Sequence, residues 1–338
     1  MPLQITIIGL GQIGASIGLA LAGQKDRITR LGNDIDLAVA RKAEKIGAVD
    51  KISINLPNAV RDAGVVILAL PLDQIKETME VIAQDLKKGA VVMDTAPVKE
   101  VVIEWMKKIL PEGRYYVGLT PVINPLYLNQ TERGIIAAHA DLFQKGLFAL
   151  VTPPQASSEA IDLAIDLISL LGAEHMFVDP AEIDGLMALT HALPQFLSAA
   201  LVDITIDRPG WREGRKIAGR PYSGLTGSAV AIEEPAALSQ QALHNRANLV
   251  RVIDTLIDNL QDFKELIAAQ KTEDLAKRLE QSRQGWSLWV GERATANWEA
   301  KEGAPQVNMP SSGDVFGRLI GIRPASERKK RQDKKNDR

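Results

Sequence analysis

Between residues 3 and 179, short apolar runs alternate with amphipathic stretches. ITIIG gives way to a helical pattern over 13–22, and ITRLGND to one over 37–46. The rhythm continues through VVILALP (65–71), AVVMDT (90–95), YYVGLT (115–120), FALVTP (148–153) and HMFVD (175–179), with amphipathic segments over 73–86, 98–110 and 159–171 between most of them. This is a βαβ rhythm. Continuous apolar strands joined by crossover helices imply an α/β, doubly wound parallel sheet covered on both faces. After Asp179 the period changes, and 180–206, 228–269 and 273–298 carry apolar residues at helical spacing with no convincing strands. The pattern predicts a sheet domain over 1–179 and an all-helical domain over 180–300. From 301 to 338 the chain is rich in Pro, Gly, Ser and finally Lys/Arg, a composition that predicts a disordered basic tail.

Composition narrows the partners. A chain of 338 residues with 46% apolar content can bury two cores. The formal charge of −2 gives no global reason to expect nucleic acid or an anionic membrane as the main partner. The absence of cysteine excludes disulfides, thiolate catalysis and Cys-based metal sites, and it fits a reducing compartment. The four histidines show no metal-ligand spacing, so no metal is expected. The first strand starts at Leu3 with no room for a signal peptide, and no segment reaches the roughly 18 uninterrupted apolar residues of a membrane span. These features predict a cytoplasmic protein acting on small molecules.

The first chemistry lies in Gly9-Leu10-Gly11-Gln12-Ile13-Gly14, which follows the first strand and opens the first helix. In that context the glycines allow a tight turn and close backbone approach, so that a pyrophosphate can sit on the helix N-terminus. Asn33 and Asp34 end the second strand, and Asp34 stands about 20 residues beyond Gly14, where a carboxylate can accept hydrogen bonds from an adenosine ribose. The first domain therefore reads as Rossmann-type. The acid favours NAD over NADP, although Asn33, Arg30 and Arg41 nearby keep NADP open. Leu70 and Pro71, ending the 65–71 strand, and Thr95 after Asp94 are expected along the same crevice.

The succession GLGQIGASIGLAL, VVILALP, DTAPVK, GLTPVINP, ERG, AAHADLF, LLGAEHMFVDPAEID and THALPQFLSAAL resembles the prephenate/arogenate dehydrogenase family of tyrosine biosynthesis, over roughly residues 3–270. The resemblance implies substrate bound in a cleft between a Rossmann domain and a helical domain that usually mediates homodimerisation. The implied reaction is an NAD(P)-dependent oxidative decarboxylation. A hydride leaves the ring carbon bearing the hydroxyl, a base takes the hydroxyl proton, and loss of carbon dioxide makes the ring aromatic.

Departures from the family pattern fall where that chemistry is expected. The usual Gly-Ser is Ala96-Pro97, and the usual His-Pro is Thr120-Pro121, within GLTPVINP. Threonine can donate or accept a hydrogen bond but is no general base near neutral pH. The acidic-His-Asp element is Glu182-Ile183-Asp184, and Ser-His-Leu-Pro-His falls on His191-Ala192-Leu193-Pro194-Gln195. His191 is thus the candidate replacement base, with a structural helix histidine as the alternative, and His139 and His244 have weaker placement. Lys99 matches the family's lysine but could equally stand solvated on a helix's first turn. Arg208, Arg212, Arg215, Lys216 and Arg220, in RPGWREGRKIAGRPY, match the family's substrate-binding segment and suit recognition of carboxylates. The resemblance implies Arg215 or Lys216 at the substrate-binding position. The alternative is a solvated basic loop or dimer contact.

The apolar face over 247–267 is broad enough to suggest burial against a second subunit, and Trp286, Trp289 and Trp298 read as packing residues. Two further readings stay open beside the family reaction. One is a dehydrogenase or reductase of another small anionic substrate; the other is a catalytically weak dinucleotide-binding sensor.

Overall fold

The computed structural model describes residues 2–154, 156–227 and 234–296. The chain divides into two compact units, one holding the chain up to Ala96 and Val102–Asp179, the other Pro97–Val101 and the chain from Pro180.

The first unit runs β1 (Leu3–Ile8), α1 (Gln12–Ala20), β2 (Ile28–Asn33), α2 (Leu37–Lys45), β3 (Lys51–Ile52), α3 (Leu56–Val60), β4 (Val65–Leu68), α4 (Leu72–Ile82), β5 (Val91–Asp94), α5 (Glu100–Ile109), β6 (Tyr115–Val122), β7 (Leu147–Val151), α6 (Ser158–Leu170) and β8 (Glu174–Phe177). The first two residues of α5 group with the helical unit. The strands form one sheet in the order β3-β2-β1-β4-β5-β6-β7-β8. Side chains alternate across a strand, and both faces are apolar here. Ile5, Ile7, Val65, Ile67, Val91, Met93, Val117, Leu119, Phe148 and Leu150 join a core with Ala15, Ile17, Ala40, Ala43, Leu167 and Ile168 of α1, α2 and α6. On the opposite side Val66, Leu68 and Val92 are buried, as are Leu72, Ile75 and Met79 of α4 and Val102 and Met106 of α5.

Two details differ from the sequence expectation. The sheet is parallel except at the β6–β7 pair, which is antiparallel in the register Gly118↔Val151 to Val122↔Leu147; β8 pairs parallel with β7, so both run against β1–β6. The reason is the connection: residues 123–146 hold only short 3-10 turns and no crossover helix, so the chain reverses at the edge of β6. The two-residue β3 has too few apolar positions to register as a strand in sequence.

The second unit comprises α7 (Pro180–Met187), α8 (Leu193–Asp203), α9 (Trp211–Ile217), α10 (Arg220–Thr226), α11 (Pro235–His244), α12 (Arg246–Ala268) and α13 (Thr272–Thr295). A π turn over Ala188–Ala192 links α7 to α8, with the Leu193 N–H donating to the Ala188 carbonyl. Pro194 explains it: a residue without an N–H cannot continue the i→i−4 ladder, and the helix widens one turn earlier. By length and composition alone Pro180–Asp203 could cross a bilayer. Asp184, Gln195 and Ser198 along it are buried polar residues. The short helices α9 and α10 were not expected, because Gly and Pro dominate 208–222; Gly210, at φ +89°, turns the chain into α9. Ala188, Ala192, Leu249 and Val252 form the unit's small apolar centre. Trp298 and the basic tail lie outside the described residues.

Candidate functional site

The sheet order reverses between β1 and β4, and their carboxyl ends open a crevice, as doubly wound sheets do at such switch points. Its cavity is ≈ 490 Å³ and is lined by Gly9, Gly11, Asn33, Asp34, Ile35, Ser53, Ile54, Leu70 and Pro71, among others. Each glycine of the fingerprint has a separate reason to lack a side chain. Gly9 has φ +88°, and a Cβ there would collide with the Ala69 carbonyl. A Cβ on Gly14 would collide with the Gly9 carbonyl, whereas one on Gly11 would meet nothing within 4 Å. The space beside Gly11 is therefore open to a ligand at the N-terminus of α1, whose first N–H groups have no intrahelical acceptor. Leu10 is fully buried and fixes the turn, Ile13 packs against the core, and Gln12 begins α1.

Asp34 is held ready. Its Oδ2 accepts the Leu10 N–H at 2.8 Å and its Oδ1 the Asp36 N–H at 2.9 Å, which orients the carboxylate while leaving lone pairs for a diol. Asn33 donates through Nδ2 to the Ser53 carbonyl at 2.7 Å and so ties β2 to the segment after β3. Ile35 and Ile54, 98% and 77% exposed, line the same cavity. Sequence reasoning missed them; the only signal was an isoleucine directly after the strand-end acid and another in a polar turn. The residues fit a dinucleotide. Replacing Asp34 with alanine is expected to weaken NAD binding at least tenfold, measured by isothermal titration.

Arg30 does not stand at this crevice, contrary to the expectation that it could receive a 2′-phosphate. It is fully buried and its guanidinium donates to the carbonyls of Gly18, Gly47 and Ala48 and to both oxygens of Asp50. Burial alone would raise the Asp50 pKa; the hydrogen bonds and charge of Arg30 outweigh that and lower it.

At the ends of β5 and β6, buried Asp94 accepts the Ala96 N–H at 2.8 Å through Oδ1 and the Tyr116 hydroxyl at 2.5 Å through Oδ2. The Thr95 N–H donates to the Leu68 carbonyl at 3.1 Å, which stitches the turn to β4. Thr120 is buried on β6 with its hydroxyl 3.4 Å from the Ala96 carbonyl. The remainder of GLTPVINP starts an ordered excursion. Asn124 caps the turn Pro125–Tyr127, and Tyr127 stacks on His139 with ring centroids 4.2 Å apart. The Tyr127 hydroxyl donates to Asp141 at 2.6 Å, which with burial raises its pKa to about 12. The His139 N–H donates to Ser16 Oγ of α1 at 3.0 Å, and its Nε2 lies 2.8 Å from Gln130 Nε2. This places His139 in a loop-fastening cluster.

In the helical unit His191 is half-buried on the π turn, beside a cavity of only ≈ 10 Å³ lined also by Pro97, Val98, Met187, Gln241 and Asn245. Gln195 is buried; its Nε2 donates to the His191 carbonyl at 3.1 Å, and its Oε1 has no hydrogen-bond partner among the described residues. Lys99 is fully buried and not solvated. Asp184 accepts the Lys99 N–H at 2.6 Å and the Glu100 N–H at 3.1 Å, and burial, only partly offset by these bonds, raises its pKa to about 6. The sign follows: the folded chain binds this proton more tightly than the unfolded one. The resulting stability is fully present below the ordinary value of 3.8 and is lost as pH rises through about 6. Urea titrations of wild type and Asp184→Asn should show the gap changing in the variant's favour as pH rises from 3.8 through about 6 and levelling off above that.

The five basic residues lie on and around α9 and α10, all exposed. Glu213 engages Lys216 at 3.6 Å and Arg212 at 4.0 Å, while Arg208, Arg215 and Arg220 have no carboxylate partner among the described residues. The segment is anchored to α8: Ser198 donates to the Leu225 carbonyl at 2.7 Å, and Thr205 Oγ1 lies 2.8 Å from the Tyr222 hydroxyl. Among the described residues no cluster of acids and histidines could hold a metal ion.

A sheet with this switch point, glycine turn and strand-end acid defines a dinucleotide-binding dehydrogenase domain, here followed by a helical unit. The chain belongs to the prephenate dehydrogenase family and is accordingly an NAD-dependent oxidoreductase. The family's nucleotide-binding domain matches residues 17–177 and its dimerization domain residues 179–281. The chain is 24% identical over 273 residues to a prephenate dehydrogenase of Bacillus subtilis, covering 80% of this chain and 72% of that protein. It is 27% identical over 284 residues to a cyclohexadienyl dehydrogenase of Zymomonas mobilis, covering 82% and 93%. The fold is shared with a prephenate dehydrogenase from Aquifex aeolicus in complex with hydroxyphenyl propionate and NAD+, at a TM-score of 0.75, 20% identity and coverage of 85% of this chain and 98% of that one.

Proposed function

We propose that this protein catalyses the NAD-dependent oxidative decarboxylation of a cyclohexadienyl carboxylate, prephenate or arogenate, in the cytoplasm. The observation that carries the reading is the open cradle at Gly11 beside the oriented Asp34, in a chain of this family. Gly9 to Gly14 would hold the pyrophosphate, Asp34 and Asn33 the adenosine side, and Leu70, Pro71 and Thr95 the edge of the crevice. Bound NAD supplies the hydride acceptor. Arg215, with Lys216, Arg212 and Arg220, binds the substrate carboxylates, because exposed guanidinium forks match carboxylate geometry. Lys99 and Gln195 contribute further polar contacts, and the Oε1 of Gln195, which has no hydrogen-bond partner among the described residues, supports its part. Thr120 orients the hydroxyl that loses its proton, and His191 accepts that proton directly or through water. Electrons from the breaking carbon–carboxylate bond enter the ring as carbon dioxide leaves, and the ring becomes aromatic.

The functional unit we propose is a homodimer through the helical unit. Val250, Ile257, Leu260 and Ile267 of α12 and Leu279, Trp286, Leu288 and Trp289 of α13 are exposed in the single chain. The tryptophans therefore do not fill this chain's own core. Leu260→Glu should shift the protein toward monomer in analytical ultracentrifugation.

The deciding experiment follows the absorbance of the reduced nicotinamide with prephenate and with arogenate, each with NAD and NADP. Turnover is expected, His191→Ala should reduce kcat by about 100-fold, and Arg215→Ala should raise KM by about tenfold or more. Turnover of neither substrate would sink the reading. The threonine at 120 and the buried Gln195 favour one alternative, the oxidation or reduction of a different small anion on the same crevice.

A further inference from the structure

The segment Ala96-Pro97-Val98-Lys99-Glu100 enters α5 without a Ser, Thr, Asp or Asn to cap it. The first N–H groups of a helix need acceptors from elsewhere. A lysine immediately ahead of the helix offers none, since an ammonium only donates. The acceptor comes from Asp184, 85 residues along the chain from Lys99 and 1% exposed, whose two oxygens take the Lys99 and Glu100 N–H groups separately. Asp184 is itself fixed. Its backbone carbonyl accepts from Asn245 Nδ2 at 2.7 Å; Asn245 Oδ1 accepts from Asn248 Nδ2 at 2.8 Å; and Asn248 Oδ1 accepts from Arg251 Nη2 at 2.9 Å. This relay runs along α12 to a carboxylate that grips one turn of backbone, and the side chain on that turn is the buried lysine.

We propose that Asp184 is a positioning residue: its carboxylate clamps the backbone of Lys99 and Glu100, and thereby fixes where the Lys99 ammonium stands relative to the anionic substrate. The inference rests on the reading of Lys99 as a substrate contact. A carboxylate is required because two N–H donors converge on it. Asparagine of the same size presents one acceptor and one donor, so one of the two backbone donors faces an N–H group. The clamp is a device of orientation more than of stability, because an ionised carboxylate is costly to bury.

The test compares Asp184→Asn with wild type, each also in a Lys99→Met background, by steady-state kinetics at pH 8, thermal unfolding, and amide hydrogen exchange of residues 97–104. The expected result is a KM for the anionic substrate raised about tenfold, the size of one lost charged hydrogen bond, with kcat within about threefold. The melting temperature should not fall, the Lys99 and Glu100 amides should lose protection, and the substitution should have less than about a twofold effect once Lys99 is methionine. An unchanged KM, or an equal rise in the Lys99→Met background, overturns the proposal. If wild type turns over neither prephenate nor arogenate, the proposed reaction fails by itself, and hydrogen exchange then decides the clamp. Retained protection of both amides in Asp184→Asn overturns it, and lost protection supports it.

Discussion

Gly11→Val should abolish useful NAD binding while leaving the fold intact, with Kd raised about 100-fold or more, equivalent to about 2.7 kcal/mol. The separation follows from what surrounds each glycine. Gly11 sits at φ −70° and ψ −158°, a conformation any L-residue adopts, and its Cβ would meet no protein atom within 4 Å. The valine methyls would instead occupy the place where a pyrophosphate approaches the helix N-terminus. Gly14→Val is the contrasting variant, because its side chain would land on the Gly9 carbonyl and the turn itself must break. Titration calorimetry paired with thermal unfolding should therefore show Gly11→Val losing the ligand at near wild-type melting temperature. Gly14→Val should lose both. A Kd within about threefold of wild type in Gly11→Val would place the cofactor elsewhere.

Arg30→Met should destabilise the first unit by about 3–5 kcal/mol, the range for breaking a buried ion pair from one side. Methionine fills much of the volume but supplies none of the donors. The carbonyls of Gly18, Gly47 and Ala48 would lose a partner together, and Asp50, whose side chain keeps only 23% exposure, would lose its counter-ion. Unfilled buried acceptors cost more than the bonds themselves contribute. The loss should shrink as pH falls below the ordinary carboxylate range, because Asp50 is stabilised in its ionised form and that contribution disappears on protonation. Equilibrium urea unfolding at pH 7 and well below the ordinary value of 3.8 measures both. Cofactor preference between NAD and NADP should not change, since Arg30 points away from the crevice.

These two residues also show how much could be read from the chain. The glycine turn was legible because its requirements are local: strand, turn and helix lie within a dozen residues, and the acid follows at the end of the next strand. Arg30 was misread for the opposite reason. A cation near a strand-end acid suggests phosphate, but its acceptors are carbonyls at 18, 47 and 48, which only the packing of α1 and α2 against β2 brings to one point. Lys99, which by its sequence position could equally stand in water, is fully buried, and the cap of its helix comes from Asp184, 85 residues away. The antiparallel β7 escaped notice because its apolar run is the same whichever way the strand points. The sheet, the helical unit and the NAD fingerprint were thus determined by the sequence itself, since hydrophobic period and turn chemistry act between near neighbours. Strand direction at the sheet's far end, the partner of every buried charge and the cap on α5 were decided only by tertiary structure, since a buried polar group takes whatever partner the packing places within 3 Å.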